Sequence, residues 1–459
     1  EDMRIFLQGK YAEGMEGCLL IGDFPIPWYE VMCWDDTYLS EFPCDLYYMD
    51  LDGTFIDDDS NGLFDGHTGD LYPEIWLGRL TASPLNFGAS NEVDLVNNYF
   101  TKNHLYRTGD LPVQKRGLSF IEDDWVPFAE SWDNDHSLTY DNTELYYDEI
   151  MTYDSSYESR LEQEYESILI CVHSSSALHQ FHSDGNYGYT TNSEIKGINP
   201  PAIFYNLFAC SNSRYVDQNN MGGWYIFTQD YGLVSVGATK TGSMLHFDYF
   251  YEPFGVCATI GEAYRDWFSA IASGGFTSDE ICWHYGMTLQ GDPTLRAKAR
   301  QPLEILSTEL DPGEEQLPYS KTIIANGGIE PLNWQVSSGY LPDGLRLNQW
   351  TGLIFGTPTL AGEFSFGIKI TDACTYAEFS DEMFYNVEVF PFYPCGDINE
   401  DELVNILDVV LLINYIYKGG SDPAPMRNAY IDDNPEIDIL DIVFLINNIY
   451  KEGPQPICP

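Results

Sequence analysis

From Leu19 to about Leu295, short apolar runs alternate with segments at helical spacing, and this alternation constrains the fold more than any other feature of the chain. The runs are Leu19-Leu20-Ile21, Gly117 to Ile121, Ser167 to Val172, Ala202 to Phe208 and Leu233 to Val236, while Ile260 to Ile271 has helical spacing. Strands separated by helices predict a mainly parallel sheet covered by helices. Open sheets of this kind bind ligands beyond the carboxyl ends of their strands. The residues that end each run are therefore the first candidates for chemistry.

After "GDPTLRAKARQP" the helical spacing stops, and alternating, turn-punctuated segments from about Leu303 to Phe390 predict a β-sandwich. The stretch from Cys395 to Pro459 repeats itself: "GDINEDELVNILDVVLLINYIYKGG" is echoed by "AYIDDNPEIDILDIVFLINNIYKEG". Two copies predict two loop-helix units. The expected domains are residues 1–300, 301–392 and 393–459.

Charge narrows the partners. With 21 Lys+Arg against 72 Asp+Glu, the chain carries a formal charge of −51 and repels nucleic acid and anionic membrane surfaces. No stretch approaches the roughly 18 uninterrupted apolar residues of a membrane helix, so no membrane span is expected. An aromatic content of 15% argues against an acidic disordered chain, which leaves the carboxylates solvated or gathered around cations such as calcium. Of the cysteines, Cys18 and Cys171 read as core thiols. Cys33 with Cys44, Cys257 with Cys282, and Cys395 with Cys458 are the expected pairs, a pattern suited to an oxidising, extracellular setting. Glu1 does not open a signal peptide, and the chain is expected to begin after processing or truncation.

Two strand ends stand out. In "CVHSSSALHQFH" an apolar run stops in His173, and in "FYNLFACSNSRY" another stops in Cys210. Adjacent parallel strands deliver their terminal residues to one edge, so an imidazole and a thiol can reach one substrate carbonyl. The imidazole helps to form the thiolate, which attacks an amide carbon, and then protonates the leaving amine. Asp123 and Asp124 in "FIEDDW" end a third strand and could orient His173, although an acidic surface loop is the simpler reading. His179 and His182, followed by Asp184, form a weaker candidate for a transition-metal site.

At these residues the chain resembles the gingipain-like cysteine peptidases, whose core has the caspase fold. "CLLIGDFPIP", "DLYYMDLDGTF", "LYPEIWLGRL", "NLFACSNSRY", "GATKTGSML", "IGEAYRDWF" and "YGMTLQGDPTLR" match segments of that family in order. The resemblance implies that His173 is the general acid/base, that Cys210 is the nucleophile, and that the N–H groups of Cys210 and Ser174 form the oxyanion hole. The family has Gly after its catalytic His, and this chain has Ser174, a residue that resists some backbone geometries open to Gly. Downstream, "GYLPDGLRLNQWTGLIFGTPTLAGEFSFGIKITDA" resembles bacterial Ig-like modules, which act as spacers or adhesive units.

Two acidic segments have calcium-loop spacing. In "DDDSNGLFDG", Asp57, Asp59, Asn61 and Asp65 occupy positions 1, 3, 5 and 9 with Gly62 at position 6. Thr68 replaces the usual acid at position 12, so a later residue such as Asp70 or Glu74 is expected to close the site. In the C-terminal repeat, Asp397, Asn399, Asp401, Asn405 and Asp408 take positions 1, 3, 5, 9 and 12, and the module resembles a type I dockerin. Glu402 stands where the turn normally has Gly. In the second copy Tyr430 and Pro435 occupy positions 1 and 6, leaving Asp432, Asn434, Asp438 and Asp441 as candidate ligands. Its helices carry apolar residues at Ile406, Val409, Val410, Leu412, Ile413 and Ile416, and at Ile439, Ile442, Val443, Leu445, Ile446 and Ile449.

The expected whole is a multidomain protein: an α/β caspase-like peptidase domain, an Ig-like β-sandwich, and a small all-α dockerin-like calcium module. Its expected role is that of a secreted or cell-surface cysteine endopeptidase acting on peptides or proteins, docked to a cohesin-like extracellular partner. The rival reading is a catalytically silent caspase-like domain with a structural or adhesive role.

Overall fold

The computed structural model describes residues 2–33, 37–88, 91–148, 152–183, 186–297, 303–376, 379–424, 426–432, 434 and 436–458. Asp184, Pro435 and the expected boundary at 300/301 lie outside them. The chain divides into two units, Glu1–Gln301 with Cys374–Ala377, and Pro302–Ala373 with Glu378–Pro459.

The first unit is built on eight strands: β1 (Gly17–Ile21), β2 (Trp76–Leu80), β3 (Gly117–Ile121), β4 (Thr143–Tyr147), β5 (Tyr165–Cys171), β6 (Ala202–Phe208), β7 (Val234–Ala238) and β8 (Met287–Gly291). Their spatial order is β1-β2-β8-β7-β6-β5-β3-β4. All neighbours run parallel except β7 and β8, which are antiparallel. β5 and β6 are buried along their whole lengths, which is why they read as continuous apolar runs rather than alternating ones. Successive residues still face opposite sides. Ile168 and Ile170 join one hydrophobic cluster, and Leu169 and Cys171 join the other. Helices Glu92–Thr108 and Ile260–Ala272 are among those that cover the sheet, and the second starts with a Thr259/Glu262 capping box.

Disulfides differ from the sequence expectation. Cys33 pairs with Cys282 and Cys257 with Cys374, while Cys44 is a buried free thiol. Cys33 ends the first strand of a hairpin, Trp28–Cys33 and Tyr38–Pro43, where it pairs with Tyr38, whereas Cys44 follows the opposite end of the second strand, where Pro43 pairs with Trp28. The helix Ser278–His284 then presents Cys282 to Cys33, a long-range approach that spacing alone does not encode.

In the second unit, one sheet of four strands and one of three enclose a core of Ile305, Trp334, Ile354, Phe366, Ile368, Ile370, Tyr385 and Val387. The C-terminal stretch has helices Ile406–Lys418 and Ile439–Lys451, a short 3-10 turn at Met426–Ala429, and the expected Cys395–Cys458 disulfide. Each apolar stripe splits. Val409, Leu412, Ile442 and Leu445 are buried together, whereas Ile406, Val410, Ile439 and Val443 are exposed.

Candidate active site and calcium loops

β3, β5 and β6 lie side by side, and their register puts Ile121, Cys171 and Phe208 in one row. The ladder continues one step further: Glu122 N–H donates to Cys171 O at 3.0 Å, and Val172 N–H to Phe208 O at 3.1 Å. Asp124, His173 and Cys210 stand two or three residues beyond that row. Three strand ends thus bring a carboxylate, an imidazole and a thiol to the same edge.

His173 Nε2 lies 2.7 Å from Asp124 Oδ2, and the Trp125 ring packs against the imidazole with centroids 4.6 Å apart. Asp124 is held by the 3-10 turn Asp123–Phe128, whose first N–H donates to Thr152 Oγ1 at 3.1 Å. Cys210 is a free, partly exposed thiol. Ser211 has φ +55°, a left-handed conformation that bends the chain sharply after Cys210, and its N–H donates to Lys240 O at 2.8 Å. Burial pushes the Lys240 ammonium down to about 8, opposed by the neighbouring Cys210 and Cys44 thiols. Ser174 is not among the described residues with positive φ. Its backbone is one any residue adopts, and its hydroxyl donates to Leu178 O at 2.9 Å.

A second set of groups adjoins His173. His182, on the strand Leu178–Ser183, has Nδ1 3.0 Å from Glu122 Oε1 and 3.4 Å from Asp124 Oδ2. Glu122 is buried, and desolvation followed by the adjoining Asp123 and Asp124 carboxylates pushes its carboxyl up to about 9. The weaker candidate, a metal site that joins His179 to His182, fails for a simple reason: residues three apart on a strand face opposite sides. His179 is buried against Tyr225 OH at 2.9 Å, and burial pushes its imidazole down to about 3. Glu122 was invisible as a site residue because its partner comes from a strand 60 residues away.

The acidic loop at Asp57 is held by its own carboxylates. Asp57 accepts from the N–H groups of Asn61 and Gly62 at 3.1 and 2.9 Å, and Gly62 has φ +93°. The acid that joins it is Glu30 rather than Asp70 or Glu74: ligand oxygens of Glu30, Asp59 and Asp65 lie within 4.8 Å of one another. Glu74 instead groups with Asp50 and Asp52. Glu30 precedes the loop on a different strand, so a forward search for position 12 misses it.

In the first C-terminal loop, Asp397 and Asp408 are buried carboxylates. Asp397 accepts from Glu402 N–H at 2.8 Å, and Asp408 accepts from Ile398 and Asn405 N–H at 2.9 and 2.8 Å. Burial, with Asp397 and Asp401 nearby, raises the Asp408 carboxyl above its ordinary range despite those bonds, so this group of hard oxygens fits a divalent cation. Glu402 adopts φ +66°, the left-handed geometry usually supplied by Gly. In the second loop Asp441 repeats the role of Asp408, accepting from Ile431 and Asp438 N–H at 2.8 Å each. Positions 9 and 12 serve twice, because Asn405/Asp408 and Asp438/Asp441 are also the capping boxes of the two helices. Asn399, Asp401, Asp432 and Asn434 lie in these same loops.

A mainly parallel sheet, a β-sandwich and a duplicated loop-helix module define a multidomain protein. The chain belongs to peptidase family C25, whose profile matches residues 1–298. The profile described as a putative Ig domain matches residues 295–388, and that of the type I dockerin domain matches 395–450. Calcium binding follows from the dockerin family. No curated protein matches the chain. Solved structures match locally: a putative alpha-galactosidase/melibiase from Bacteroides fragilis NCTC 9343 at 24% identity over 18% of this chain and 17% of that one, TM-score 0.16; the protocadherin GammaB4 extracellular domain at 11% over 23% and 18%, TM-score 0.18; and Drosophila N-cadherin EC1-3 at 9% over 24% and 39%, TM-score 0.17. The chain thus spans less than a fifth of the length of the first two. Among the described residues, no helix is long and apolar enough to cross a membrane.

Proposed function

We propose that residues 1–300 form a caspase-like cysteine endopeptidase domain with Cys210 as nucleophile and His173 as general acid/base, followed by an Ig-like spacer at 301–392 and an α-helical dockerin module at 393–459. The observation that carries the reading is the shared register row Ile121–Cys171–Phe208, which sends Asp124, His173 and Cys210 to one edge. His173 takes the Cys210 proton as Sγ attacks the peptide carbonyl carbon. It then gives that proton to the leaving amine as the C–N bond breaks, and water hydrolyses the acyl-enzyme. Asp124, 2.7 Å away, orients the imidazole and stabilises its charged form. Peptide N–H groups of Cys210 and Ser174 serve the oxyanion. Incubating the full chain with a peptide mixture under reducing, calcium-replete conditions is expected to give internal cleavages. A mixture left intact would favour the silent, adhesive reading.

That rival reading draws on Ser174, and the backbone there speaks against it. Because Ser174 is not in a left-handed conformation, Gly offers it no relief of strain. Ser174→Gly is expected to leave kcat/KM within about threefold. A gain of tenfold or more would locate a defect in the oxyanion hole.

Calcium is assigned to the loop of Asp57, Asp59, Asn61 and Asp65 with Glu30, to the loop of Asp397, Asn399, Asp401, Asn405 and Asp408, and to Asp432, Asn434, Asp438 and Asp441. A chelator is expected to lower the melting temperature, since an ion at a hundredfold excess over Kd adds about 2.7 kcal/mol to the native state. Asp57→Ala and Asp397→Ala are each expected to remove part of the difference. Superimposable scans with and without chelator would remove calcium from both loops.

The dockerin module is assigned to a cohesin-like partner of an extracellular assembly. Its exposed apolar residues recur in matched pairs: Ile406 and Ile439, Leu407 and Leu440, Val410 and Val443, Tyr417 and Tyr450. The three disulfides suit secretion to an oxidising compartment.

A further inference from the structure

We propose that Glu122, Asp124, His173 and His182 form a site for a first-row transition-metal ion, with zinc as the natural occupant, and that filling it switches the peptidase off. One ligand atom from each of the four lies within 4.8 Å of the others. The closest approaches are 2.7 Å for His173 Nε2 to Asp124 Oδ2, 3.0 Å for His182 Nδ1 to Glu122 Oε1, and 3.4 Å for His182 Nδ1 to Asp124 Oδ2. Donors about 2.0–2.2 Å from a tetrahedral zinc stand roughly 3.4 Å apart, so the set needs only small shifts to close on an ion. Two imidazoles with two carboxylates select zinc and its neighbours over calcium, which prefers an all-oxygen shell.

The independent observation is Glu122 itself. Its residue surface is 0% exposed, yet no N–H group reaches Oε2, which has only the neighbouring Asp123 carboxyl group to share a proton with; Asp123 Oδ1 in turn lies 3.6 Å from His182 Nδ1. Among the described residues, the ion pairs of Glu122, Asp123 and Asp124 all run to His173 or His182, with no Lys or Arg among them. Three acids packed together with two imidazoles and no Lys or Arg are an arrangement that a divalent cation completes, by displacing the proton that the crowded carboxyl groups otherwise share. The strand carrying His182 reaches this corner because its N–H donates to Glu122 Oε1 at 3.1 Å and because His173 pairs with Gln180 in the same small sheet.

The switch follows from lone-pair occupancy. With the ion on Nε2, the neutral His173 ring keeps its proton on Nδ1 and has no lone pair left to take the Cys210 proton, and Asp124 can no longer orient the ring. Removing the ion restores both. The inhibitory consequence rests on the role assigned to His173 above, whereas the metal site does not, and the experiment separates them.

Zinc affinity would be measured on full-length Cys210→Ala by competition with a chromophoric chelator, with calcium in excess to fill the acidic loops. One zinc ion is expected per chain, and His182→Gln or Glu122→Gln placed in that background is expected to weaken it at least tenfold. The two variants check one another, and an unchanged melting temperature shows that either is folded. In the protein with Cys210 intact, zinc is expected to block peptide hydrolysis and a chelator to restore it, with the inhibitory concentration rising at least tenfold in His182→Gln. Binding that vanishes in Cys210→Ala would place the ion on the thiol and overturn the site, as would affinity unmoved by both variants. Tight binding through His182 in a protein that cleaves nothing would uphold the site and refute the peptidase reading alone.

Discussion

Replacing Cys210 with alanine is expected to lower kcat/KM for peptide hydrolysis by a factor of roughly 10⁴ or more, because the proposed acyl intermediate forms on its Sγ. His173→Ala is expected to fall nearly as far, and the double variant little further, since two groups that act in one step do not contribute additively. Asp124→Asn is expected to lose less than either. It keeps a partner 2.7 Å from His173 Nε2 but removes the charge that stabilises the imidazolium. Hydrolysis that survives in Cys210→Ala would move the nucleophile elsewhere. The chain holds three other free cysteines, Cys18, Cys44 and Cys171, and burial raises all three thiols, Cys18 to about 11, which disfavours the thiolate they would need.

The second large effect is on stability and is carried by His136, far from any role in hydrolysis. Its imidazole is fully buried between Ser119 Oγ and Ser167 Oγ, 3.0 Å from each, and so bridges β3 and β5. Burial pushes it down to about 3, against an ordinary value near 6.5. The sign is fixed by which state takes up protons. Below pH 6.5 the unfolded chain protonates His136 while the folded chain does not, so the neutral form's contribution is complete above 6.5 and shrinks as the pH falls toward 3. The loss is about 1.4 kcal/mol per pH unit, or roughly 3 kcal/mol by pH 4. In His136→Phe that dependence is absent, but the Ser119 and Ser167 hydroxyls each lose their imidazole partner, at a cost on the order of 1–3 kcal/mol. Denaturant titrations are therefore expected to find wild type the more stable at pH 7.5 and the variant equal or better at pH 4. A stability gap that stays constant across this range would contradict a buried neutral His136.

Much of this site was legible because parallel sheets advertise their chemistry. β5 and β6 are buried on both faces, so each reads as an unbroken apolar run, and an abrupt His173 or Cys210 after such a run has no packing explanation. The C-terminal loops were legible for a related reason, since one local segment supplies most ligands of a calcium loop and the helix cap as well. What sequence reading missed is what strand pairing assembles over distance. Glu122 and His182 meet across 60 residues, Glu30 joins a loop that starts 57 − 30 = 27 residues later, and Cys33 bonds Cys282 across 249 residues. β2 and β8 escape the pattern of apolar runs because both are short and mixed in composition, and the antiparallel course of β8 carries no local signal at all. The split of each dockerin stripe into a buried and an exposed half is also a tertiary fact. Helical spacing marks the apolar residues without saying which of them a partner covers.

The most direct test of the central claim is covalent labelling of the full chain with a peptide bearing a thiol-reactive warhead, followed by mass spectrometric mapping of the adduct. The account predicts a single adduct at Cys210, formed rapidly in wild type and at least a hundredfold more slowly in His173→Ala, because the imidazole is what helps to generate the thiolate. Labelling at another cysteine, or labelling at Cys210 whose rate is indifferent to His173, would contradict it.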